Sequence, residues 1–158
     1  RLTMTPTDLF ASSPLVDDEL TLLLSHTHAA GPRENDALTY RFAMQHSENG
    51  ARIGNLSVRI ADSEYIVQYF GHIGYGVHPL FRGHRYAARA CRLVLPVLAH
   101  HDIDPIWITC NPDNIPSRRT CELIGAELIN IVDLPKDIDL YLVGDRQKCR
   151  YRLSTDNT

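Results

Sequence analysis

The alternation of apolar and polar positions predicts one helix and then a run of strands in the first half of this chain. Apolar residues recur at helical spacing over residues 14–26, which predicts an amphipathic helix. The polar segment 28–36, with the sequence HAAGPREND, predicts a loop. Three apolar runs then predict strands at Thr39–Gln45, Gly54–Ile60 and Tyr65–Val77, the last of them bent near Gly71.

The second half of the chain alternates between helical and strand patterns. Apolar positions at helical spacing predict a long helix over residues 84–99, and Pro96 should kink its last turn. A shorter helix is predicted over residues 115–124. Three more strands are predicted at Ile106–Cys110, Glu127–Val132 and Lys148–Leu153. Strands that come first, with one long helix packed across them, predict a mixed α/β (α+β) fold, built as a single domain over residues 1–158.

Composition and charge narrow the class of protein. Apolar residues make up 44% of the chain and charged residues 22%, which is ordinary for a soluble globular protein. The formal net charge of −3 gives no general attraction to nucleic acid. No apolar run reaches the roughly 18 residues that cross a membrane, and no signal-peptide pattern starts the chain. We therefore expect no membrane partner. The four cysteines form no CxxC pair, so we expect a reduced, cytoplasmic setting.

The segment of residues 71–88, GHIGYGVHPLFRGHRYAA, is the most informative part of the sequence. An apolar strand runs into a turn built on Pro79 and Gly83, and a helix follows at once. The first turn of a helix offers free N–H groups and the positive end of the helix dipole, which together bind phosphate. Five basic side chains are expected at the same helix start: Arg82, His84, Arg85, Arg89 and Arg92. The segment therefore predicts a site for a phosphorylated cofactor or substrate.

This segment resembles the acetyl-CoA signature of the GNAT N-acetyltransferase superfamily, in which Arg/Gln-x-x-Gly-x-Gly/Ala follows a strand and opens a helix. Arg82 matches the first position of the signature and Ala87 the last. Arg85 stands where the family usually has its central glycine, so its side chain could obstruct the approach of the backbone to a pyrophosphate. We expect this side chain to point outward.

A second block of sequence supports the same resemblance. Residues 105–126 are similar to the next block of the superfamily, in which Asn-x-x-Ser/Ala opens a helix that ends at glycine. Asn114, Ser117 and Gly125 fall at the expected positions. The resemblance implies a GNAT-like fold, with a central, mostly antiparallel twisted sheet flanked by helices, and it implies acetyl-CoA as the co-substrate.

The resemblance also implies which residues contact acetyl-CoA. The backbone of Val77 would lie beside the thioester, and residues 83–88 would cradle the pyrophosphate. Asn114 would touch the pantetheine arm, although asparagine is also a good helix N-cap, and both roles can hold at once. The full set of implied cofactor residues is Val77, Arg82, Gly83, His84, Arg85, Tyr86, Ala87, Ala88, Asn114 and Ser117.

The proton donor for the departing thiolate is where the sequence differs most from the family pattern. Many members carry a tyrosine four residues after the Ser/Ala, and Cys121 stands there instead. A thiol with an ordinary pKa of about 8.5 can donate a proton to a thiolate of similar basicity. A buried helix cysteine is also a common packing residue. Tyr75 or Tyr141 could supply the missing hydroxyl instead.

The acceptor amine also needs to lose a proton. An alkylammonium group with a pKa near 10.4 is neutral in only about one molecule in 2,500 at pH 7, which costs on the order of 4–5 kcal/mol. The candidate base is His72, on the strand that leads into the cofactor loop, about where relatives place a catalytic glutamate. The alternative is a histidine that bonds a neighbouring strand or packs in the core. The weaker candidates for the base are Glu64 and Glu122.

The resemblance implies an N-acetyltransferase that moves an acetyl group from acetyl-CoA directly to a primary amine in a ternary complex, and we expect that amine to belong to a small molecule. We expect the acceptor to enter from the face opposite CoA, between residues 25–36 and residues 134–145. The second segment contains Tyr141 and three acidic residues that would suit a cationic amine, although a solvated loop explains them equally well. Those residues are Asp137, Asp139 and Asp145.

Two other functions stay open at this point. One is an acetyltransferase that acts on a protein amine, and the other is a non-catalytic module that binds or senses CoA. His26, His28 and the histidines and aspartates of residues 100–104 lack the spacing of metal ligands, so no metal site is expected. The sequence leaves a homodimer open.

Overall fold

We describe the fold from a computed structural model, in which residues 15–32 and 36–155 are described. Eight strands and three helices make up this part of the chain. The strands are Val16–Asp17 (β1), Leu20–His28 (β2), Leu38–His46 (β3), Arg52–Ile60 (β4), Ile73–Val77 (β5), Ile106–Cys110 (β6), Glu127–Asp133 (β7) and Gln147–Leu153 (β8). The helices are Tyr86–His100 (α1), Ile115–Leu123 (α2) and Asp139–Leu142 (α3).

The strands form two antiparallel sheets. The first has the order β1-β2-β3-β4-β5, and the second has the order β6-β8-β7. Helix α1 lies across one face of the first sheet and contacts β1, β2, β4 and β5. A continuous core of buried side chains lies beneath it, including Phe42, Leu56, Val94 and Ile108. The predicted mixed fold with a mostly antiparallel sheet is confirmed.

The helix predicted over residues 14–26 is wrong in the part that the structure describes. Residues 15–26 form the β1–β2 hairpin, whose two-residue turn is Asp18-Glu19, with Asp18 in the left-handed region at a φ of 51°. Leu20 and Leu22 alternate into the core, whereas Leu23 is 47% exposed. The pairing of β2 with β3 therefore overrides a spacing that fits a helix equally well. Residue 14 lies outside the described residues.

The strand predicted over Tyr65–Val77 is half right. Residues 66–70 form a π-helical turn, which the Gly71 N–H closes by donating to the Ile66 carbonyl, and only residues 73–77 form a strand. Gly71 has a φ of 79°, and a Cβ there would lie 3.1 Å from the Trp107 carbonyl oxygen. Only glycine satisfies both the turn and this close approach. The predicted bend near Gly71 is confirmed.

The other predicted helices and strands are confirmed with shifts of one or two residues at their ends. Of the loop predicted over residues 28–36, His28 ends β2, and residues 33–35 lie outside the described residues. Helix α1 continues through Pro96 to His100, and β6 has the predicted bounds. Within the described residues, no helix is long and apolar enough to cross a membrane.

The two sheets join at a single residue. The His72 N–H donates to the Trp107 carbonyl at 2.7 Å, and the Trp107 N–H donates to Nδ1 of the His72 ring at 2.9 Å. Beyond this point no strand pairing joins β5 to β6 in the described residues. The sheets are therefore free to separate towards the end of β5, where the candidate site lies.

Candidate functional site

A cavity of about 490 Å³ opens between the end of β5, the loop to α1 and the start of α2. All of the predicted cofactor residues except His84 and Ala88 line it. Its lining comprises Tyr75, Gly76, Val77, Phe81, Arg82, Gly83, Arg85, Tyr86, Ala87, Asn114, Pro116, Ser117 and Thr120. Four lining residues were not predicted from the sequence, since nothing in their residue types marks them as ligand contacts: Gly76, Phe81, Pro116 and Thr120.

The loop between β5 and α1 lines one side of this cavity with Phe81, Arg82, Gly83 and Arg85. His78 Nδ1 accepts from the Leu80 N–H at 3.3 Å, which fixes a short 3-10 turn at the start of the loop. Gly83 then takes a φ of 93°, and the chain enters α1. Within the described residues, no protein group accepts a hydrogen bond from the N–H groups of residues 83–88. A row of free donors at a helix start fits the two phosphates of a CoA molecule.

Arg85 occupies the position of the expected glycine and adopts the backbone conformation that glycine favours. Its φ of 60° and ψ of 27° lie in the left-handed region, which costs a non-glycine residue about 1–2 kcal/mol. The side chain is exposed, so the guanidinium lies at the rim of the cavity. The backbone geometry of the signature is therefore retained without the glycine.

Two of the five basic side chains that the sequence places at this helix start are bound elsewhere. Arg89 donates to Asp17 and Glu19, and this bond holds the pKa of Glu19 at about 2. Arg92 donates to the Leu123 carbonyl. The expectation that all five crowd the site is wrong, because these two tie α1 to β1, to the β1–β2 turn and to α2. The basic residues left exposed at the loop are Arg82, His84 and Arg85.

The start of α2 forms the opposite wall of the cavity. Asn114 Oδ1 accepts from the Ser117 N–H at 3.3 Å, so Asn114 is the helix N-cap. Pro116 lies in the first turn, where its missing N–H costs nothing. Asn114 also lines the cavity, so capping and cofactor contact are compatible here.

The hydroxyl of Tyr75 lies against α2, beside Ser117 and Cys121. It is 2.8 Å from Ser117 Oγ, 3.2 Å from the Ser117 carbonyl oxygen and 3.8 Å from Cys121 Sγ. Burial and the nearby Cys121 raise the pKa of Tyr75, so the phenol stays protonated. Contact with the Cys110 thiol and burial raise the pKa of Cys121 as well. Cys121 is fully buried and does not line the cavity, whereas Tyr75 does.

His72 is fully buried and does not line the cavity. Its Nδ1 accepts from the Trp107 N–H, so the proton of the neutral ring lies on Nε2, which is 2.9 Å from the Ala61 carbonyl oxygen and 3.3 Å from Asp62 Oδ1. Burial lowers the pKa of His72, although Asp62 opposes this. Both ring nitrogens are therefore engaged, as in the alternative of a histidine bonded to a neighbouring strand. Both weaker candidates for the base, Glu64 and Glu122, are exposed.

The acidic segment near residues 134–145 is partly neutralised. Lys148 Nζ donates to Asp145 Oδ2 at 3.0 Å and to Asn111 Oδ1 at 2.7 Å. The Arg146 guanidinium lies 3.9 Å from the centre of the Tyr141 ring. In the part of the chain that the structure describes, no three His, Cys, Asp or Glu side chains are grouped to hold a metal ion.

Comparison with known proteins supports the same family as the sequence motifs. Residues 5–127 match the family described as Acetyltransferase (GNAT) domain. One similar structure is the acetyltransferase (GNAT family) from Bacillus anthracis, at 20% identity and a TM-score of 0.58, with 73% of this chain and 66% of that chain covered. A search among curated proteins found no match.

Two other similar structures are described by their activities. One is the ribosomal-protein-S5-alanine acetyltransferase from Vibrio fischeri, at 17% identity and a TM-score of 0.59, with 75% of this chain and 62% of that chain covered. The other is the microcin C7 self-immunity acetyltransferase MccE in complex with acetyl-CoA and AMP, at 16% identity and a TM-score of 0.57, with 73% and 61% covered. This chain thus spans less than two thirds of their lengths, and the similarity shows the fold.

Proposed function

We propose that this chain, which belongs to the GNAT acetyltransferase family, moves an acetyl group from acetyl-CoA to a primary amine of a small molecule. The transfer is direct and takes place in a ternary complex. The observation that carries the proposal is the row of unpaired backbone N–H groups over residues 83–88 at the rim of a cavity of about 490 Å³. This arrangement suits a long ligand with a diphosphate at one end.

The donor is held along the cavity in this proposal. The N–H groups of residues 83–88 bind the pyrophosphate, and Arg82 and Arg85 add charge at the rim. Asn114 and Ser117 contact the pantetheine arm from the opposite wall, and the end of β5 at Val77 lies beside the thioester. Acetyl-CoA supplies an activated acetyl group, and every other contribution comes from the chain.

Tyr75 is the proton donor in this proposal. Its hydroxyl faces the cavity and is bonded to Ser117, which holds it in one direction. Burial raises the pKa of Tyr75, so the phenol carries its proton at neutral pH. Cys121 supports the phenol from behind rather than donating the proton. His72 positions β5 against β6, since its ring nitrogens are both bonded to other groups.

A protein amine is the second candidate acceptor. Several solved structures with this fold are described as acetyltransferases of ribosomal proteins, among them the Vibrio fischeri enzyme and the ribosomal L7/L12 alpha-N-protein acetyltransferase RimL. The terminal amine of a peptide would need an open approach to the end of β5.

Calorimetry with acetyl-CoA, desulfo-CoA and ATP tests the donor site. Micromolar binding of acetyl-CoA that ATP does not match supports the proposal, and the amine is then identified by thiol release from a panel of small amines and N-terminal peptides. Release with peptides alone would favour the second candidate. Tight binding of acetyl-CoA with no release by any amine would favour a non-catalytic CoA-binding module, and the absence of binding would remove the proposal.

A further inference from the structure

The two faces of the first sheet differ sharply in what they present. Successive side chains of a strand point to opposite faces. The cross-strand row Phe42–Leu56–Tyr75 faces the core beneath α1. The adjoining row of cross-strand partners, on the opposite face, is His26–Arg41–Ser57–Gly74. This second face, which we call the open face, is polar and carries the guanidinium groups of Arg41 and Arg59.

Arg59 is held flat over the start of β5. Its guanidinium lies 3.9 Å from the centre of the Phe70 ring, and Nη1 donates to the carbonyl oxygens of Phe70 and Gly71 at 3.3 and 3.1 Å. A Cβ on Gly74 would lie 2.9 Å from Nη2, so the glycine makes room for the guanidinium. These contacts fix the guanidinium in one place before any ligand arrives.

The remaining donors of Arg59 are available to a ligand. Within the described residues its Nε and Nη2 have no protein acceptor, and no buried side-chain nitrogen or oxygen there lacks a partner, so both groups reach solvent. Among the described ion pairs, neither Arg59 nor Arg41 has a carboxylate partner.

Arg41 lies on the same face and adds a second positive charge. It is exposed, and its Nη1 makes one long contact of 3.4 Å with Ser57 Oγ. Burial and the charge of Arg41 lower the pKa of Arg59 to about 10, as expected for two neighbouring cations. Asp62, two residues after the end of β4, contacts His72. A bound anion would relieve the repulsion between the two guanidinium groups.

This basic pair lies close to the proposed reaction site. Gly74 is level with Arg41 and Ser57 in the sheet, and Gly76, two residues further along β5, lines the cofactor cavity. Two residues of a strand span about 7 Å. No atom of the described residues lies within 4 Å of the place where a Cβ on Gly76 would be, so their packing leaves the backbone open there. A small acceptor can therefore contact the basic pair at one end and the cavity at the other.

Building on the acetyl transfer proposed above, we infer that the acceptor amine carries a carboxylate or a phosphate, which Arg41 and Arg59 bind on the open face of the first sheet. The sequence alone suggested a cationic acceptor, from the acidic residues near residues 134–145. The charges on the open face point the other way, and Asp145 is already paired with Lys148.

Matched acceptors that differ in one anionic group test this inference. The pairs are 4-aminobutyrate against butylamine, and O-phosphoethanolamine against ethanolamine, with kcat/KM measured by thiol release. We expect the anionic member of at least one pair to be preferred tenfold or more, and the pair that shows it identifies the anion as a carboxylate or a phosphate. Equal or better rates with both butylamine and ethanolamine, which lack the anionic group, would overturn the inference.

Three substitutions separate the anion site from the rest of the enzyme. Arg41→Gln, at an exposed position, should remove most of the preference by raising the acceptor KM, and the Kd for acetyl-CoA should stay within about twofold. Arg59→Gln should act in the same way but can also loosen the contacts with Phe70 and Gly71. Arg119→Gln, on the exposed surface of α2, removes the same charge and should change nothing. A preference that survives both Arg41→Gln and Arg59→Gln contradicts the inference.

Binding measurements keep this inference distinct from the proposed function. If acetyl-CoA binds and no amine is acetylated, the transfer proposal fails, and the binding of 4-aminobutyrate and O-phosphoethanolamine is then measured by calorimetry. Binding that Arg41→Gln weakens at least fivefold would uphold the anion site on its own. The absence of binding by both anions would reject it.

Discussion

The site departs most from the family pattern at one position of α2, and a hydroxyl group of β5 lies close to that position. The expected tyrosine of α2 is replaced by Cys121, and the hydroxyl of Tyr75 reaches to within 3.8 Å of its sulfur from the neighbouring strand. The sequence shows the missing tyrosine and offers Tyr75 as one substitute. It cannot choose between Tyr75 and Tyr141, because the choice depends on which of them the fold brings beside α2.

Tyr75→Phe should lower kcat on the order of 100-fold, because a general acid contributes at least that much and the phenyl ring keeps the packing. The KM for acetyl-CoA should change little. Steady-state rates measured by thiol release, with Tyr141→Phe as the matched control, check this. A kcat for Tyr75→Phe within about twofold of the wild type would exclude the tyrosine from proton transfer.

Cys121→Ala should leave kcat nearly unchanged, since the thiol is fully buried and lies behind the phenol. The free energy of unfolding should fall by about 1 kcal/mol, because the sulfur leaves a small void. Urea unfolding and kinetics on the same preparation measure the two effects. Loss of activity in a protein that remains folded would instead make Cys121 the proton donor.

At the scale of elements, the loop between β5 and α1 depends on backbone conformation more than on residue type. The sequence predicts the start of α1 at residue 84, and the observed start is Tyr86, because Arg85 takes a left-handed conformation that ends the loop. The helical spacing of the leucines in residues 15–26 misled the prediction there, since pairing with β3 decides between helix and strand. Local patterns therefore predicted best where an element is long and covered on one face, as for α1.

The pair Arg85→Gly and Arg85→Ala separates backbone strain from charge. Both substitutions remove the guanidinium, but only glycine relieves the left-handed conformation. Arg85→Gly should therefore be more stable than Arg85→Ala by about 1 kcal/mol. Thermal unfolding measures this difference. Equal stabilities would mean that the conformation at residue 85 carries no strain.

Calorimetry on the same two variants measures what the guanidinium contributes to cofactor binding. Both should bind acetyl-CoA more weakly than the wild type, by a similar factor that salt reduces. If the alanine variant binds as tightly as the wild type, Arg85 contributes no charge to the site.

On the scale of the whole molecule, the two sheets are connected by the hydrogen bonds between His72 and Trp107, and we expect stability to depend on them. The motifs predicted the fold, because its helices and most of its strands are encoded locally. The contact between His72 and Trp107 could not be predicted, because the two residues are 35 positions apart in the sequence. The same holds for the pairing of Arg41 and Arg59 on the open face, which follows from strand register.

Acid should weaken the contact between the two sheets at His72 and so lower the free energy of unfolding. Burial lowers the pKa of His72 in the folded protein below the value near 6.5 of an unfolded chain. Between those two values the unfolded state binds more protons, so the free energy of unfolding falls as the pH drops below 6.5 and is unaffected above it. Urea unfolding at pH 7.5 and pH 5.0 should show a loss that is smaller in His72→Gln.

His101 needs a separate control, because burial lowers its pKa as well. His101→Gln measures its share of the acid loss. The pKa of Glu19 is about 2, so this carboxylate contributes to the loss of stability only below pH 4.5. It therefore does not affect the comparison between pH 7.5 and pH 5.0. An identical pH dependence of the free energy of unfolding in the wild type and His72→Gln would show that protonation of His72 does not contribute to the loss of stability in acid.

The alternation of β5 has a consequence for how such a protein can change over time. Ile73, Tyr75 and Val77 lie towards the helices, and Gly74 and Gly76 lie towards the open face. Substitutions at odd-numbered positions would therefore alter the handling of the donor, and those at even-numbered positions the choice of acceptor. A single-residue insertion or deletion within the strand would exchange the two faces and abolish both functions together. We therefore expect evolution in this strand to proceed by substitution alone.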